Sequence, residues 1–512
     1  MSERMTNNPN SSEFTVGILG AGAMGRGIAQ IIATGGMRVL LFDNNDVAVA
    51  AGREFAERMI LRAGEKGTIT DEEAKGAVAR LSVATQLSDL GNSDLVIEAV
   101  VEDLDIKRKV FLELEEVVAE GCILATNTSS LSVAAIAAAL KHPGRFAGFH
   151  FFNPVPLMKV VEVVSGLETT LRTIDTLVAV ARRAGHEPVR AKDTPGFLVN
   201  HAGRGLNTEG VRIVSEGVTD FAGVDDLLRE GGPKFRMGPF ELMDTTGLDV
   251  SHPVMESIYQ QFYEEPRFRP NPLTRQRAAA GLYGRKTGRG FYTYQDNKKV
   301  IPPVIETPNI LPEAIWVSKA EPAGNEILTS ALSDVVEIDD GKKPSTRSLC
   351  LFSPIGWDVT SAAVAESIEA ERSFGVDTMF GLDGRRTLMS TPVSDPDLRD
   401  MVHATLAVGG HAITKLRDSP GFVNQRVVSI VVNIACDIAQ QRIANPSDID
   451  KAVMLGLGYP SGPLALGDSV GPRRILQVLN AMQEFYGDPR YRPSPWLKRR
   501  AMLGVSLLTE DN

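Results

Sequence analysis

The sequence predicts a parallel α/β sheet at the N-terminus, an all-helical domain after it, and then a weaker second pass through the same plan. Three observations carry that expectation. From residue 14 to about 192, short apolar runs alternate with stretches of helical periodicity, the pattern of successive strand–helix–strand units. At Asp193-Thr194-Pro195-Gly196-Phe197 the alternation stops, and helical patterns alone run to about residue 281. The same signature then returns as Asp418-Ser419-Pro420-Gly421-Phe422. Gly185-His186 returns as Gly410-His411, and Pro266-Arg267-Phe268-Arg269-Pro270 as Pro489-Arg490-Tyr491-Arg492-Pro493, so the helical domain is duplicated.

A chain of 512 residues with 43% hydrophobic and 23% charged residues has the make-up of an ordinary globular protein of three or four units. A net charge of −10 without a long basic run argues against a nucleic-acid surface. Cys122, Cys350 and Cys436 match no zinc or disulfide spacing, and they suit a reducing cytoplasm. No metal is expected. The opening MSERMTNNPNSS is polar and reads as a flexible tail, not a signal peptide, and no run approaches the apolar length of a membrane span.

Residues 14–19 form the first expected strand. Gly20-Ala21-Gly22-Ala23-Met24-Gly25 follows directly and opens a helical pattern, and a second strand ends at Asp43. In that setting Gly20, Gly22 and Gly25 allow a tight turn and a close approach of backbone to a pyrophosphate. Asp43 accepts from the adenosine ribose and repels a 2′-phosphate, so the expected cofactor is NAD in a Rossmann-type domain. A long helical excursion over residues 47–80 places Arg58, Arg62 and Lys66 at i, i+4 and i+8 on one face. Such a stripe is either a solvated face or a place for a phosphate-rich ligand such as coenzyme A.

A fourth strand over residues 95–101 closes on Glu102, and Lys107 falls in the first turns of the next helix. A fifth strand ends in Asn127-Thr128-Ser129-Ser130, whose polar groups face the ligand crevice at the carboxyl end of a parallel sheet. Ser130 or Ser132 can instead cap the Ala-rich helix that follows.

Two apolar runs then flank Asn153-Pro154-Val155-Pro156, one carrying His150 and the other Glu162. Proline breaks the ladder, so the runs read as neighbouring strands. A carboxylate among Val160, Val161, Val163 and Val164 needs a partner, and an imidazole beside it would become a general base. The alternative is a structural His and a solvent-facing Glu. His142, His186, His201, His252, His403 and His411 lack this setting. Asn200 lies early in the first helix of the helical domain, where a buried amide suggests a polar ligand.

Together these motifs resemble the (S)-3-hydroxyacyl-CoA dehydrogenase family over about residues 14–296. The resemblance implies that His150 is the general base with Glu162 as its partner, and that Ser129 and Asn200 bind the reacting oxygen and the imidazole. It puts Gly20, Gly22, Gly25, Asp43, Glu102, Lys107, Ser129, Asn153 and Lys286 on cofactor-contacting positions, and Lys66 on a coenzyme A contact. It also implies an acyl-CoA substrate, with 3-hydroxyadipyl-CoA or 3-hydroxybutyryl-CoA as candidates. Long members of the phenylacetate-degradation type are similar in overall arrangement.

The expected division is a tail (1–13), the NAD-binding Rossmann domain (14–190), a helical substrate or dimerisation domain (191–296), a Pro-rich linker (297–345), a reduced Rossmann-like unit (346–413) and a second helical domain (414–512). In the second half Gln425 stands where Asn200 would fall, and Pro354-Ile355-Gly356-Trp357 replaces a phosphate loop, so the copy should be inert. Shorter family members dimerise through the helical domain. Residues 417–508 are therefore expected to pack on residues 193–281 in place of that partner, with a homo-oligomer left open. Two other readings compete: a hydroxyacid or sugar-acid dehydrogenase that does not use coenzyme A, and a non-catalytic NAD-binding scaffold.

Overall fold

Eight short apolar runs pair into one sheet in the order β3-β2-β1-β4-β5-β6-β7-β8. They are β1 (Thr15–Leu19), β2 (Arg38–Phe42), β3 (Leu81–Val83), β4 (Leu95–Glu98), β5 (Ile123–Thr126), β6 (Phe146–Phe151), β7 (Val160–Ser165) and β8 (Glu187–Lys192). Every pairing is parallel except β6 with β7. The connection between those two is too short for a helical crossover, so the chain can only turn back. Helices cover both faces, and the strands are accordingly apolar on both sides. Ile28, Ile32, Ile60 and Leu177 pack with Val16, Val39 and Val161 on one face. Phe111, Leu114 and Val133 pack with Val96, Phe146 and Val164 on the other.

This computed structural model describes residues 8–301 and 307–511. The chain forms two compact units, Met1–His201 with Arg442–Leu457 and Ala202–Gln441 with Gly458–Asn512. Residues 1–7 of the expected tail lie outside the described residues, as do 302–306 of the expected linker. Residues 8–13 are not free, because Arg183 Nη1 donates to the carbonyls of Pro9 (2.6 Å) and Ser11 (2.7 Å). The long excursion after β2 is two helices, Asp46–Glu65 and Asp71–Ala79, the second started by a capping box at Thr70.

In the first unit the edge strand β8 is completed from the far end of the chain. Lys192 N donates to Ile443 O at 2.9 Å, and Lys451 pairs with Glu187 at 3.0 Å from the helix Pro446–Leu457.

The second unit corrects the expected linker. After a hairpin of β9 (Tyr294–Gln295) and β10 (Lys298–Lys299), residues 314–339 form β11 (Ala314–Val317), the helix Pro322–Leu332 and β12 (Glu337–Asp339). These join β13 (Ser348–Phe352), β14 (Ser373–Gly375), β15 (Arg386–Ser390) and β16 (Ile413–Arg417) in a sheet of order β12-β11-β13-β14-β15-β16. The Rossmann-like unit thus begins near residue 314, not 346. Only β14 and β15 are antiparallel, the same reversal that β6 and β7 show three strands from the far edge of the first sheet.

Within this unit the two helical copies pack together through the helices Arg204–Ser215 and Asn424–Gln440. A Cβ on Gly205 would stand 3.1–3.3 Å from Ile434, Val431 and Ile430, so the two backbones pack closely here and a side chain would need its neighbours to shift by a few tenths of an ångström. The contacts are reciprocal. Arg267 Nη2 donates to Arg492 O at 2.9 Å, and Arg490 Nη2 to Arg269 O at 3.1 Å. Arg417 N donates to Val218 O at 2.8 Å, the counterpart of the Lys192–Ile443 bond in the first unit.

Candidate active site

The Gly-rich turn is built around steric necessity. Gly20 has φ +108°, and a Cβ on Gly25 would stand 1.7 Å from Gly20 O, so neither position tolerates a side chain. Gly22 is different: a Cβ there would meet nothing within 4 Å. Among the described residues no atom requires that glycine, and the open space above it suits a ligand lying against the backbone. Asp43 Oδ2 accepts from Ala21 N at 2.8 Å, so the carboxylate at the end of β2 is fixed against the turn. The helix that follows, Ala23–Thr34, carries no acidic residue in its first turn. These features fit a dinucleotide pyrophosphate and ribose.

The carboxyl ends of β4 and β5 form a buried charge chain. Glu98, fully buried, accepts from Val100 N (2.7 Å), Thr126 Oγ1 (2.7 Å) and Lys107 Nζ (2.5 Å). Lys107, itself buried, also lies 3.4 Å from Glu102. Glu102 Oε1 accepts from Thr128 Oγ1 (2.6 Å), Ser129 N (2.9 Å) and Ser130 Oγ (3.0 Å). Burial opposes its ionisation, but these hydrogen bonds and the Lys107 ammonium outweigh burial and hold it below the usual carboxylate range. Of the serines, Ser132 caps the helix Val133–Ala137 and Ser130 is tied to Glu102, while Ser129 stays exposed.

β6 and β7 place His150 directly opposite Glu162. His150 Nδ1 and Glu162 Oε2 are 2.5 Å apart, and both residues are buried. Glu162 Oε1 accepts from Leu198 N (2.9 Å) and Val199 N (2.7 Å), so both carboxylate oxygens are engaged. Nδ1 therefore carries the hydrogen, and Nε2 is the atom left to take a proton. Asn127 Oδ1 accepts from Phe151 N at 2.8 Å and ties β6 to the end of β5. A cavity of about 310 Å³ brings His150, Ser129, Asn153, Asn200, Glu102 and Lys107 to one wall-to-wall space.

The other candidates fall elsewhere. Gly20, Gly22, Gly25 and Asp43 form the turn beside the first strand and do not line that cavity. Arg58, Arg62 and Lys66 are exposed along one helix, with Lys66 at its C-terminus and Arg58 3.9 Å from Glu54. Lys286 belongs to the second unit, where it pairs with Asp249. Glu98 is the residue that sequence reasoning missed, although it carries the signal that revealed Glu162: a carboxylate closing an apolar strand.

Comparison with known proteins settles the family. Residues 15–194 match the model of the 3-hydroxyacyl-CoA dehydrogenase NAD-binding domain, and residues 196–294 and 421–506 each match the C-terminal domain of the same family. The chain belongs to the 3-hydroxyacyl-CoA dehydrogenase family. Its N-terminal sheet is the family's NAD-binding domain, and the double match agrees with the duplicated helical domain.

Among its relatives is the 3-hydroxyadipyl-CoA dehydrogenase of Escherichia coli (strain K12), 34% identical over 96% of this chain and 98% of that protein. The mitochondrial hydroxyacyl-coenzyme A dehydrogenase of Sus scrofa is 37% identical over 55% of this chain and 91% of its own. A solved 3-hydroxybutyryl-CoA dehydrogenase from Escherichia coli K12 superposes with a TM-score of 0.82 at 33% identity, covering 96% and 98% of the two chains. By family the protein is an NAD-dependent oxidoreductase.

Among the described residues the second sheet does not repeat the His–Glu pair of the first. Gly375 pairs with Met389 as Gly148 pairs with Val164, which puts Asp377 and Thr387 where the first sheet has His150 and Glu162. Thr387 Oγ1 accepts from Asp377 N (2.8 Å), and Gln425 Nε2 donates to Asp377 Oδ1 (3.1 Å). Burial pushes the Asp377 carboxyl above its usual range. A hydrogen-bonded acid stands where the first sheet has an imidazole.

Proposed function

We propose that the protein oxidises (S)-3-hydroxyacyl-CoA to 3-oxoacyl-CoA with His150 as general base. The observation that carries this reading is the buried His150–Glu162 pair opening on a cavity shared with Ser129 and Asn200. Nε2 of His150 takes the substrate hydroxyl proton as the carbon gives up its hydride, and Glu162 stabilises the imidazolium that results. Ser129 and Asn200 hold the reacting oxygen. Glu102 and Lys107 set the loop that carries Ser129, and with Asn153 they orient the dinucleotide. When bound, NAD supplies the hydride acceptor. General-base help of this kind contributes roughly 10²–10⁴-fold in rate.

The substrate we favour is 3-hydroxyadipyl-CoA. The relative so named matches along nearly the whole of both chains, second half included. The exposed Arg58, Arg62 and Lys66 receive the phosphates of coenzyme A, and Lys286 serves the cofactor. NADH formation measured across 3-hydroxybutyryl-, 3-hydroxyhexanoyl- and 3-hydroxyadipyl-CoA tests the reading. The dicarboxylic substrate should give the highest kcat/KM. Neutralising Arg58, Arg62 and Lys66 together should raise KM for acyl-CoA about tenfold at low salt and leave KM for NAD unchanged. Turnover of free 3-hydroxy acids as fast as of their thioesters would favour the dehydrogenase that does not use coenzyme A.

The second helical copy stands in for the partner subunit. Its contacts with the first copy are reciprocal, as in an isologous two-fold interface, but are made within one chain. Light scattering of the full chain should therefore find one copy per particle. Cys122, Cys350 and Cys436 are buried free thiols, which accords with a cytoplasmic protein, and burial pushes the Cys122 and Cys350 thiols up to about 12. Among the described residues no helix is long and apolar enough to cross a membrane.

A further inference from the structure

The second sheet keeps a cavity at the position where an open α/β sheet binds its ligand. Chain order reverses between β11 and β13, with β12 on one side and β14 on the other, and crevices at such a switch point are the usual ligand sites. A space of about 380 Å³ opens there, lined by the residues that follow β11 and β13 and by the helix Val359–Glu366. It is larger than the 310 Å³ cavity at the catalytic pair.

Its chemistry has turned away from phosphate. After β11 there is Ser318-Lys319-Ala320-Glu321-Pro322 in place of a Gly-rich turn, and Pro322 removes a backbone N–H from the start of the helix. Glu321 places a carboxylate where a pyrophosphate would bind. The charged side chains lining the cavity among the described residues are Glu321 and Glu366, both acidic. One oxygen of Glu366 accepts from Ser318 Oγ, and Glu321 is 3.4 Å from Arg474, which is not part of the lining. Ser353 is satisfied by Thr378. The other walls are aromatic or aliphatic: Phe352 and Ile355 are buried, and Trp357 is half-buried. An anionic ligand would meet two carboxylates here. A cation would meet carboxylate oxygens and aromatic faces, the combination that recognises organic ammonium groups.

We propose that this cavity is a second binding site, separate from the catalytic one, for a small organic ammonium compound with an apolar body. The ammonium lies against Glu366 and the face of Trp357, and the body fills the space over Phe352 and Ile355. The site does not depend on the dehydrogenase chemistry and remains if that reading fails.

Calorimetry on the full chain, with the catalytic cavity saturated by NAD, tests this with three probes of one shape: 2-phenylethylamine, 2-phenylethanol and 3-phenylpropionate. The amine should bind with a Kd of about 1 mM or tighter, the alcohol about tenfold more weakly, and the acid not detectably. Glu366→Gln retains the acceptor for Ser318 and should weaken the amine about tenfold without changing the alcohol. Trp357→Ala should abolish binding of both. NADH formation should be unchanged in either variant. No heat from the amine, equal binding of all three probes, or undiminished amine binding in Trp357→Ala would each overturn the proposal.

Discussion

Glu162→Gln should lower kcat by roughly 10³–10⁴-fold while the chain still folds and still binds NADH. The reason lies in which atoms the two side chains share. Glu162 Oε1 takes the amide hydrogens of Leu198 and Val199, and Oε2 faces Nδ1 of His150. A glutamine can keep the first pair of bonds through its carbonyl, so the start of the helical segment that carries Asn200 stays in place. Its NH₂ must then face Nδ1. Two donors cannot meet, so the imidazole changes tautomer: Nδ1 accepts, and the hydrogen moves to Nε2. The atom that should take the substrate proton is then already protonated. In a histidine–carboxylate pair of this kind, the amide substitution costs about 10⁴-fold for the same reason.

Three measurements separate this account from simple damage. NADH binding, followed by its fluorescence, should be within a factor of about two of the parent. The unfolding midpoint should shift little, because the substitution preserves shape and replaces a buried charge with a group that still bonds on both sides. KM for the acyl-CoA should change far less than kcat, since the loss falls on the proton transfer. If kcat stays within tenfold of the parent, Glu162 does not set the tautomer, and the base must be sought elsewhere in the cavity.

The residues legible in the sequence are those where independent signals coincide. Gly20 to Asp43 could be read because glycine spacing, strand, helix start and terminal acid all agree. Glu162 stood out because a carboxylate in a run of valines has a cost that something must offset. Glu98 has the same signature but is masked in the sequence, because the apolar run continues past it through Ala99, Val100 and Val101 to Glu102, and the acid looks internal to a longer strand. The strands around residues 314–339 were hidden by their length. Ala314–Val317 is four residues, all buried, in a stretch punctuated by prolines, and a run that short shows no period at all. Residues 8–13 looked free because what holds them is Arg183, far away in the sequence. Tertiary contacts of that kind leave no local pattern. The repeat, by contrast, was legible because its Pro-Gly-Phe and Pro-Arg signatures mark backbone turns, and those tolerate little substitution.

Arg426→Met should destabilise the second unit by about 3–5 kcal/mol, and restoring much of that loss should require a second change at Glu209. Arg426 is wholly buried between the helical copies. Its Nε and Nη2 donate to Glu209 Oε1 at 3.0 and 2.7 Å, and its Nη1 donates to Glu216 Oε2 at 2.9 Å and Ser419 Oγ at 3.0 Å. Glu209 is also wholly buried, with Tyr491 OH donating at 2.9 Å and Arg490 at 3.4 Å. Methionine matches much of the arginine's length but leaves the carboxylate with a distant cation and one phenol. The loss is mostly the cost of that stranded charge and much less the worth of the pair itself. Arg426→Met with Glu209→Leu removes both charges and should unfold closer to the parent than Arg426→Met alone, as read from denaturant or thermal midpoints. If the double variant is no more stable than the single, the pair is net stabilising in its own right. The order of the variants thus decides whether the buried charges hold the two copies together or fix which surfaces meet. The second answer is expected, because Ile430, Val431 and Ile434 against Gly205 already supply an apolar contact that holds them.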